Sequence, residues 1–179
     1  TRGVQKSIFR KDLRDTNRPT DVITLLNVGR VSREKGIDDF CKLEINTDKQ
    51  VNKIVVGDGP YLEELRKKYP KISFVGSKKG VELAKYYANA DVFVFPSKVD
   101  TFGIVIIESL SVGTPVAAYR VPGPIDILEQ SVDGVMGDDL VQCVHDCLNL
   151  DRNAVAESGD KWTWDNCWNI FKTNLISAK

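Results

Sequence analysis

Short apolar runs alternate with stretches of helical periodicity along most of the chain. The first run, VITLLNV, spans residues 22–28 and ends in a Gly-Arg turn. A helical stretch follows through Gly36 to about residue 43. The second run, residues 53–56, closes on GDGP. Pro60 suits the first turn of the helix expected over residues 61–69. The third run, residues 72–75, closes on Gly76 and precedes a helix over residues 80–90. The fourth run, residues 91–95, closes on Pro96. A helix over residues 103–110 comes next and stops at Gly113, a C-cap glycine. The fifth run is residues 115–119, and a weak sixth strand is expected at residues 134–136. From Asp138 onward the pattern reads as helix. The runs are continuously apolar rather than alternating, which requires burial on both faces and so a parallel sheet covered by helices. The expected fold is α/β: a Rossmann-like, doubly wound parallel sheet of about six strands with helices on both faces.

In such sheets ligands bind beyond the carboxyl ends of the strands, so chemistry belongs in the loops after each run. Familiar phosphate loops do not fit those loops. Gly57-Asp58-Gly59 lacks the third glycine of a dinucleotide fingerprint, which is Leu62 here. The segment from Gly29 to Lys35 lacks the second glycine and the Ser/Thr placement of a P-loop. No Asp-x-Asp occurs, so the usual carboxylate handle for a metal diphosphate is missing.

Composition narrows the classes. Lysine plus arginine number 25 and aspartate plus glutamate 25, so no global field favours nucleic acid or an acidic membrane, and any anion needs a local site. No apolar run reaches about 18 residues, the length of a membrane span. The four cysteines are scattered, which argues against a disulfide framework and for reduced, cytosolic surroundings. Cys143, His145 and Cys147 mimic a metal cluster. On a helix the two cysteines share a face and His145 points elsewhere, so they read as core residues. The first residue is Thr1, without a Met or a signal-like segment, and the expectation is an excised fragment.

Three loops carry candidate chemistry. GRVSREKG places Arg30 and Lys35 at the end of the first strand, between Gly29 and Gly36. Arginine can grip a phosphate bidentately and lysine adds a point charge; a solvated basic turn is the bland alternative. The segment from Ser97 to Glu108 runs from the fourth strand into a helix. Its start would present free N–H groups at Phe102, Gly103 and Ile104. Glu108 interrupts one of the most apolar stretches and needs a partner, such as Arg30, backbone N–H groups or ligand hydroxyls; a structural ion pair or a position at the rim is the bland alternative. The third loop, from Tyr119 to Asp126, is stiffened by two prolines and a glycine.

Together these motifs resemble family-4 glycosyltransferases of the two-domain GT-B type. GRVSREKG is similar to their GR-x4-K motif, GDGP to GxGP, and ISFVG to V-x-F-x-G. DTFGIVIIE resembles E-x7-E, followed by GTPV. The matches lie in the family's order over nearly the whole chain. One departure is Asp100, one methylene shorter than the usual Glu. A DTFG version paired with GPxD, as in Gly123 to Asp126 here, resembles one branch of the family.

The resemblance implies the donor-binding half of a retaining, metal-independent hexosyltransferase. It would use a UDP- or GDP-sugar and no cofactor. Arg30 and Lys35 would hold the diphosphate, facing the N–H groups of Ile104 and Val105. Asp100 and the backbone of Phe102 and Gly103 would bind the transferred sugar. Glu108 would take the ribose hydroxyls, and the base would lie near Gly76, with Gly29 lining the donor site. Arg30, Lys35 and Asp100 are the catalytic candidates. No residue stands out as a general base, a role the donor phosphate itself could fill. The single domain divides into a lead-in (1–20), a core (21–160) and a C-terminal helix (161–179). An absent N-terminal domain would bring a glycan or lipid-linked acceptor, and the chain alone would be inactive. Trp164, Trp168, Phe171 and Leu175 form one apolar stripe, destined for this domain's own core or for that partner domain. The expected location is cytoplasmic, or peripheral to a membrane in the full-length protein. Two other readings are a GT-B-like sugar-nucleotide epimerase half and a non-catalytic binding module in which Asp100 marks lost activity.

Overall fold

A computed structural model describes residues 2–100 and 102–175. Thr1 of the lead-in, Thr101 of the DTFG block and residues 176–179 of the C-terminal segment lie outside the described residues. Six parallel strands form one sheet: β1 (Val22–Val28), β2 (Gln50–Val56), β3 (Ser73–Phe74), β4 (Val92–Phe95), β5 (Val116–Tyr119) and β6 (Gly134–Gly137). Their spatial order is β3-β2-β1-β4-β5-β6. Winding proceeds outward from β1 in one direction and then from β4 in the other, so the order reverses between these two strands. That switch point leaves a crevice above their carboxyl ends.

The continuous apolar runs are explained by the two cores. Neighbours along β1 and β4 point to opposite faces: Leu26 and Phe93 enter one core, Leu25 and Val94 the other, all of them buried. The helices α3 (Gly80–Asn89), α4 (Ile104–Ser111) and α7 (Arg152–Gly159) cover the first face. The helices α1 (Ile37–Lys42), α2 (Leu62–Lys68) and α6 (Leu140–Cys147) cover the second. Cys143 and Cys147 are buried on α6 and His145 is not, as helical spacing predicts.

Strand and helix bounds differ from the sequence reading by a few residues. β2 begins at Gln50 rather than residue 53: Gln50 and Asn52 are polar and exposed, which hides the start of the strand from the apolar pattern, yet they pair with β1 in register from Val22↔Gln50 onward. β3 keeps only Ser73–Phe74 of its expected run, since it pairs with β2 on one side alone. A short helix, α5 (Pro124–Ile127), follows the proline-rich loop.

The lead-in is tied to the C-terminal segment by a bridge between Val4 and Thr163 and by Val4 N–H donating to Trp162 O at 2.7 Å. The last helix, α8 (Trp164–Thr173), contains no buried residue. Its apolar stripe therefore lies on the surface rather than in this domain's core: Trp164 and Trp168 are 56% exposed, and Trp168 stacks on Phe171.

Candidate functional site

The crevice at the switch point is a cleft of about 370 Å³, built from the loops after β1 and β4 and the start of α4. Gly29, Arg30 and Lys35 line it from the β1 side. Asp100, Phe102, Gly103, Ile104 and Val105 line it from the β4 side. Residues 65 or more apart in sequence thus line one cleft.

Local bonding explains which charges face the cleft. A 3-10 turn over Arg33–Lys35 ends at Gly36, whose φ of 67° is left-handed. A side chain there would press on the carbonyl of Pro96, so glycine lets the β1 loop sit against the β4 loop. Arg33 is drawn away from the cleft: its guanidinium stacks on Tyr61, 3.9 Å from the ring centre, and pairs with Glu64. Glu34 accepts from the Ser32 hydroxyl at 2.6 Å, which holds its carboxyl below the usual range. Arg30 is exposed and has no hydrogen-bond partner among the described residues. Lys35 Nζ lies 2.6 Å from Asp100 Oδ1 across the cleft. The basic turn is therefore not a uniformly solvated one: its cations divide between a structural pair and the cleft.

On the β4 side, Gly103 caps α4 with φ 76° and ψ 63°, again left-handed. No side chain caps this helix and no acid lies in its first turn. The N–H groups of Ile104 and Val105 have no partner within the helix, so a positive helix end opens on the cleft beside Arg30 and Lys35. The proline-rich loop buttresses this wall. Gly123, at φ 92°, approaches so closely that a side chain there would meet Asp100 O at 3.0 Å.

Two expected residues do not line the cleft. Gly76 sits beyond β3, where its carbonyl accepts from Gly57 N–H at 2.9 Å. It borders a second hollow of about 230 Å³ that includes Gly57, Asp58, Ser77 and Lys78. Val28, Gly29 and Arg30 line both hollows, so the two adjoin at the β1 loop. Glu108 lies one turn further along α4 from Ile104, half-buried. None of the protein partners considered from the sequence reaches it; its Oε2 accepts from the Tyr87 hydroxyl at 3.0 Å. Burial pushes the carboxyl up to about 7, a rise that the Tyr87 hydrogen bond opposes.

Other lining residues were not singled out from the sequence. Asn27 is 8% exposed and donates to Val94 O at 3.1 Å, bridging β1 and β4 under the cleft. Thr24 and Asn27 are the polar residues of the β1 run, and of the two only Asn27 is buried. Ser97 is buried at the foot of the β4 loop. Arg2 reaches the rim because the lead-in is pinned to Trp162 and Thr163, a contact between the two ends of the chain that no local pattern announces.

A doubly wound sheet with this order and this switch-point cleft is the architecture of the C-terminal domain of GT-B proteins. The chain belongs to the family of glycosyl transferases group 1, whose model matches residues 9–140. It is 32% identical over 170 residues to the sulfoquinovosyl transferase of Arabidopsis thaliana, covering 86% of this chain and 33% of that protein. It is 38% identical over 111 residues to a GDP-mannose-dependent alpha-mannosyltransferase of Corynebacterium glutamicum, covering 62% of this chain and 26% of that protein. The fold is similar to that of HepE of Anabaena in complex with UDP and glucose, with a TM-score of 0.68 at 19% identity. That match covers 96% of this chain and 55% of HepE. The chain thus spans about a third or less of the two curated relatives. No helix among the described residues is long and apolar enough to cross a membrane.

Proposed function

We propose that this chain is the donor-binding half of a retaining, metal-independent glycosyltransferase. It would move a hexose from a UDP- or GDP-sugar to an acceptor hydroxyl of a glycan or glycolipid. One observation carries the reading: Arg30, Lys35, Asp100 and the open start of α4 converge on a single cleft. Two cations and a helix end meet the charge of a diphosphate, and they strengthen as that charge grows on the leaving group. The protein groups then do the work that a metal would otherwise do.

The Lys35–Asp100 pair fits the same chemistry. Donor arrival exchanges it for two new pairings: Lys35 turns to the diphosphate, and Asp100 turns to hydroxyls of the transferred sugar. The second hollow adjoins the cleft at Arg30 and is lined by Gly57 and Ser77, which offers the nucleoside a place near Gly76. Arg2 adds a third cation at the rim. One relative is a GDP-mannose-dependent enzyme and HepE holds UDP and glucose, so both nucleotides belong in the assay. The exposed stripe of α8 is where the acceptor-binding domain would pack, and the chain alone would then bind donor without completing transfer.

The test is calorimetric titration of UDP and GDP into the full-length protein, with magnesium and with chelator, followed by a transfer assay. The expected result is binding that is unchanged by chelation and lost in Arg30→Ala and Lys35→Ala. Unchanged binding in both variants removes the diphosphate site. Binding without release of nucleoside diphosphate in the presence of any donor and acceptor favours the non-catalytic module, and interconversion of sugar nucleotides favours the epimerase.

A further inference from the structure

The core under the cleft contains a hydroxyl that packing does not require. Tyr87 of α3 is fully buried, in a place where a phenylalanine ring would fill the same space. Its ring stands edge-on to Phe93, 5.4 Å between centres, and tilts against Phe9. Its backbone carbonyl accepts from Thr114 Oγ1 at 2.7 Å, and that oxygen accepts in turn from Arg152 Nη2 at 2.7 Å. The ring is therefore fixed from two sides. A buried hydroxyl without a partner costs free energy, and here the single partner is Glu108 Oε2. Burial and the neighbouring carboxylate push the Tyr87 hydroxyl well above its ordinary range, so it stays a donor at working pH and the bond keeps one direction.

The other carboxylate oxygen differs. Among the described residues no donor reaches Glu108 Oε1. Nor does it belong to the buried, unpartnered atoms, so it is open to solvent. Glu108 is four residues past Ile104, hence on the same side of α4 as a residue that lines the cleft.

We propose that Tyr87 is a positioning residue: by holding Oε2 of Glu108 it presents Oε1 to the ribose hydroxyls of the bound nucleotide. This rests on the donor-site reading above. One carboxylate oxygen has lone pairs for both vicinal hydroxyls of a ribose. With Oε2 taken by Tyr87, a proton on Glu108 sits on Oε1 and competes with the ribose. Tyr87 is the titratable group that acts on Glu108 among the described residues; no cation or second acid does. The preference for ribose should therefore rise with pH through neutrality, and removing the Tyr87 hydroxyl should move that rise to higher pH.

The experiment measures, in the full-length protein, the affinity ratio of UDP or GDP to its 2′,3′-dideoxy analogue on both sides of neutral pH. A hydrogen bond to a charged group is worth about tenfold or more in that ratio. Glu108→Gln should bring the ratio close to one. Tyr87→Phe should lower it severalfold at neutral pH and shift its midpoint upward, while the loss caused by Arg30→Ala keeps its size. 3-Fluorotyrosine at position 87 retains ring and hydroxyl and should preserve the preference, which separates the hydrogen bond from packing. A wild-type ratio and midpoint in Tyr87→Phe, alongside a collapsed ratio in Glu108→Gln, overturns the role of Tyr87 and leaves the donor site standing. A wild-type ratio in Glu108→Gln overturns the ribose contact itself and the inference with it.

Discussion

Arg30 and Lys35 flank two other charged residues in one short turn, yet only they face the cleft, because Arg33 and Glu34 have partners elsewhere. Replacing Arg30 with alanine should therefore cost about 10²–10³ in kcat with little change in stability, the loss typical of one preorganised donor. Arg33→Ala is the control and should leave transfer near wild type. Asp100 calls for a different outcome. If donor binding opens its pairing with Lys35, as proposed, Asp100→Ala should tighten UDP or GDP alone severalfold while transfer falls by about 10² or more. Calorimetry on the free nucleotide, set against kcat on the sugar nucleotide, reads the two effects separately. Glu108 carries a pH signature. Its folded carboxyl is raised to about 7, so folding favours the protonated form, and stability should fall as pH rises from its ordinary value through neutrality. The loss is on the order of 3 kcal/mol. Glu108→Gln should flatten that part of the stability curve measured by urea unfolding at several pH values.

At the level of elements, the start of α4 decides whether the helix end can face a ligand. Gly103 is left-handed, and a side chain there would also press on Ile106. Gly103→Ala should cost about 1–2 kcal/mol from backbone strain and weaken nucleotide binding more than its stability cost explains. Compare α7, which starts with a side-chain cap: Asp151 accepts from Asn153 N–H. Asp151→Ala should cost about 1 kcal/mol in thermal unfolding and leave binding untouched. The contrast has a physical basis. Asp151 satisfies one of the free donors of α7 internally, whereas no side chain satisfies those of α4. Periodicity located α4 to within a residue, because four consecutive apolar positions precede Glu108. It could not say that Tyr87, 21 residues earlier, would be the partner of that acid.

For the molecule as a whole, α8 is the feature that its own core does not account for. Its aromatic stripe is exposed, and only its neighbour Trp162 packs inward, edge-on to Phe102 of the cleft. Trp168→Asp should leave the stability of this chain alone within about 0.5 kcal/mol, as surface substitutions usually do. In the full-length protein the same change should lower the melting temperature if α8 is covered there. The sequence determined the class of the fold, since continuous apolar runs demand a sheet buried on both faces and helices to bury it. It also determined which loops hold the chemistry, since the glycines and charges cluster after the runs. Tertiary structure alone decided what depends on distance across the chain. The reversal between β1 and β4 brings Lys35 to Asp100, the closure of the chain ends brings Arg2 to the rim, and the packing of α3 on α4 gives Glu108 its partner. Local periodicity reports how each segment meets solvent and core; it has no term for which distant segment will stand opposite.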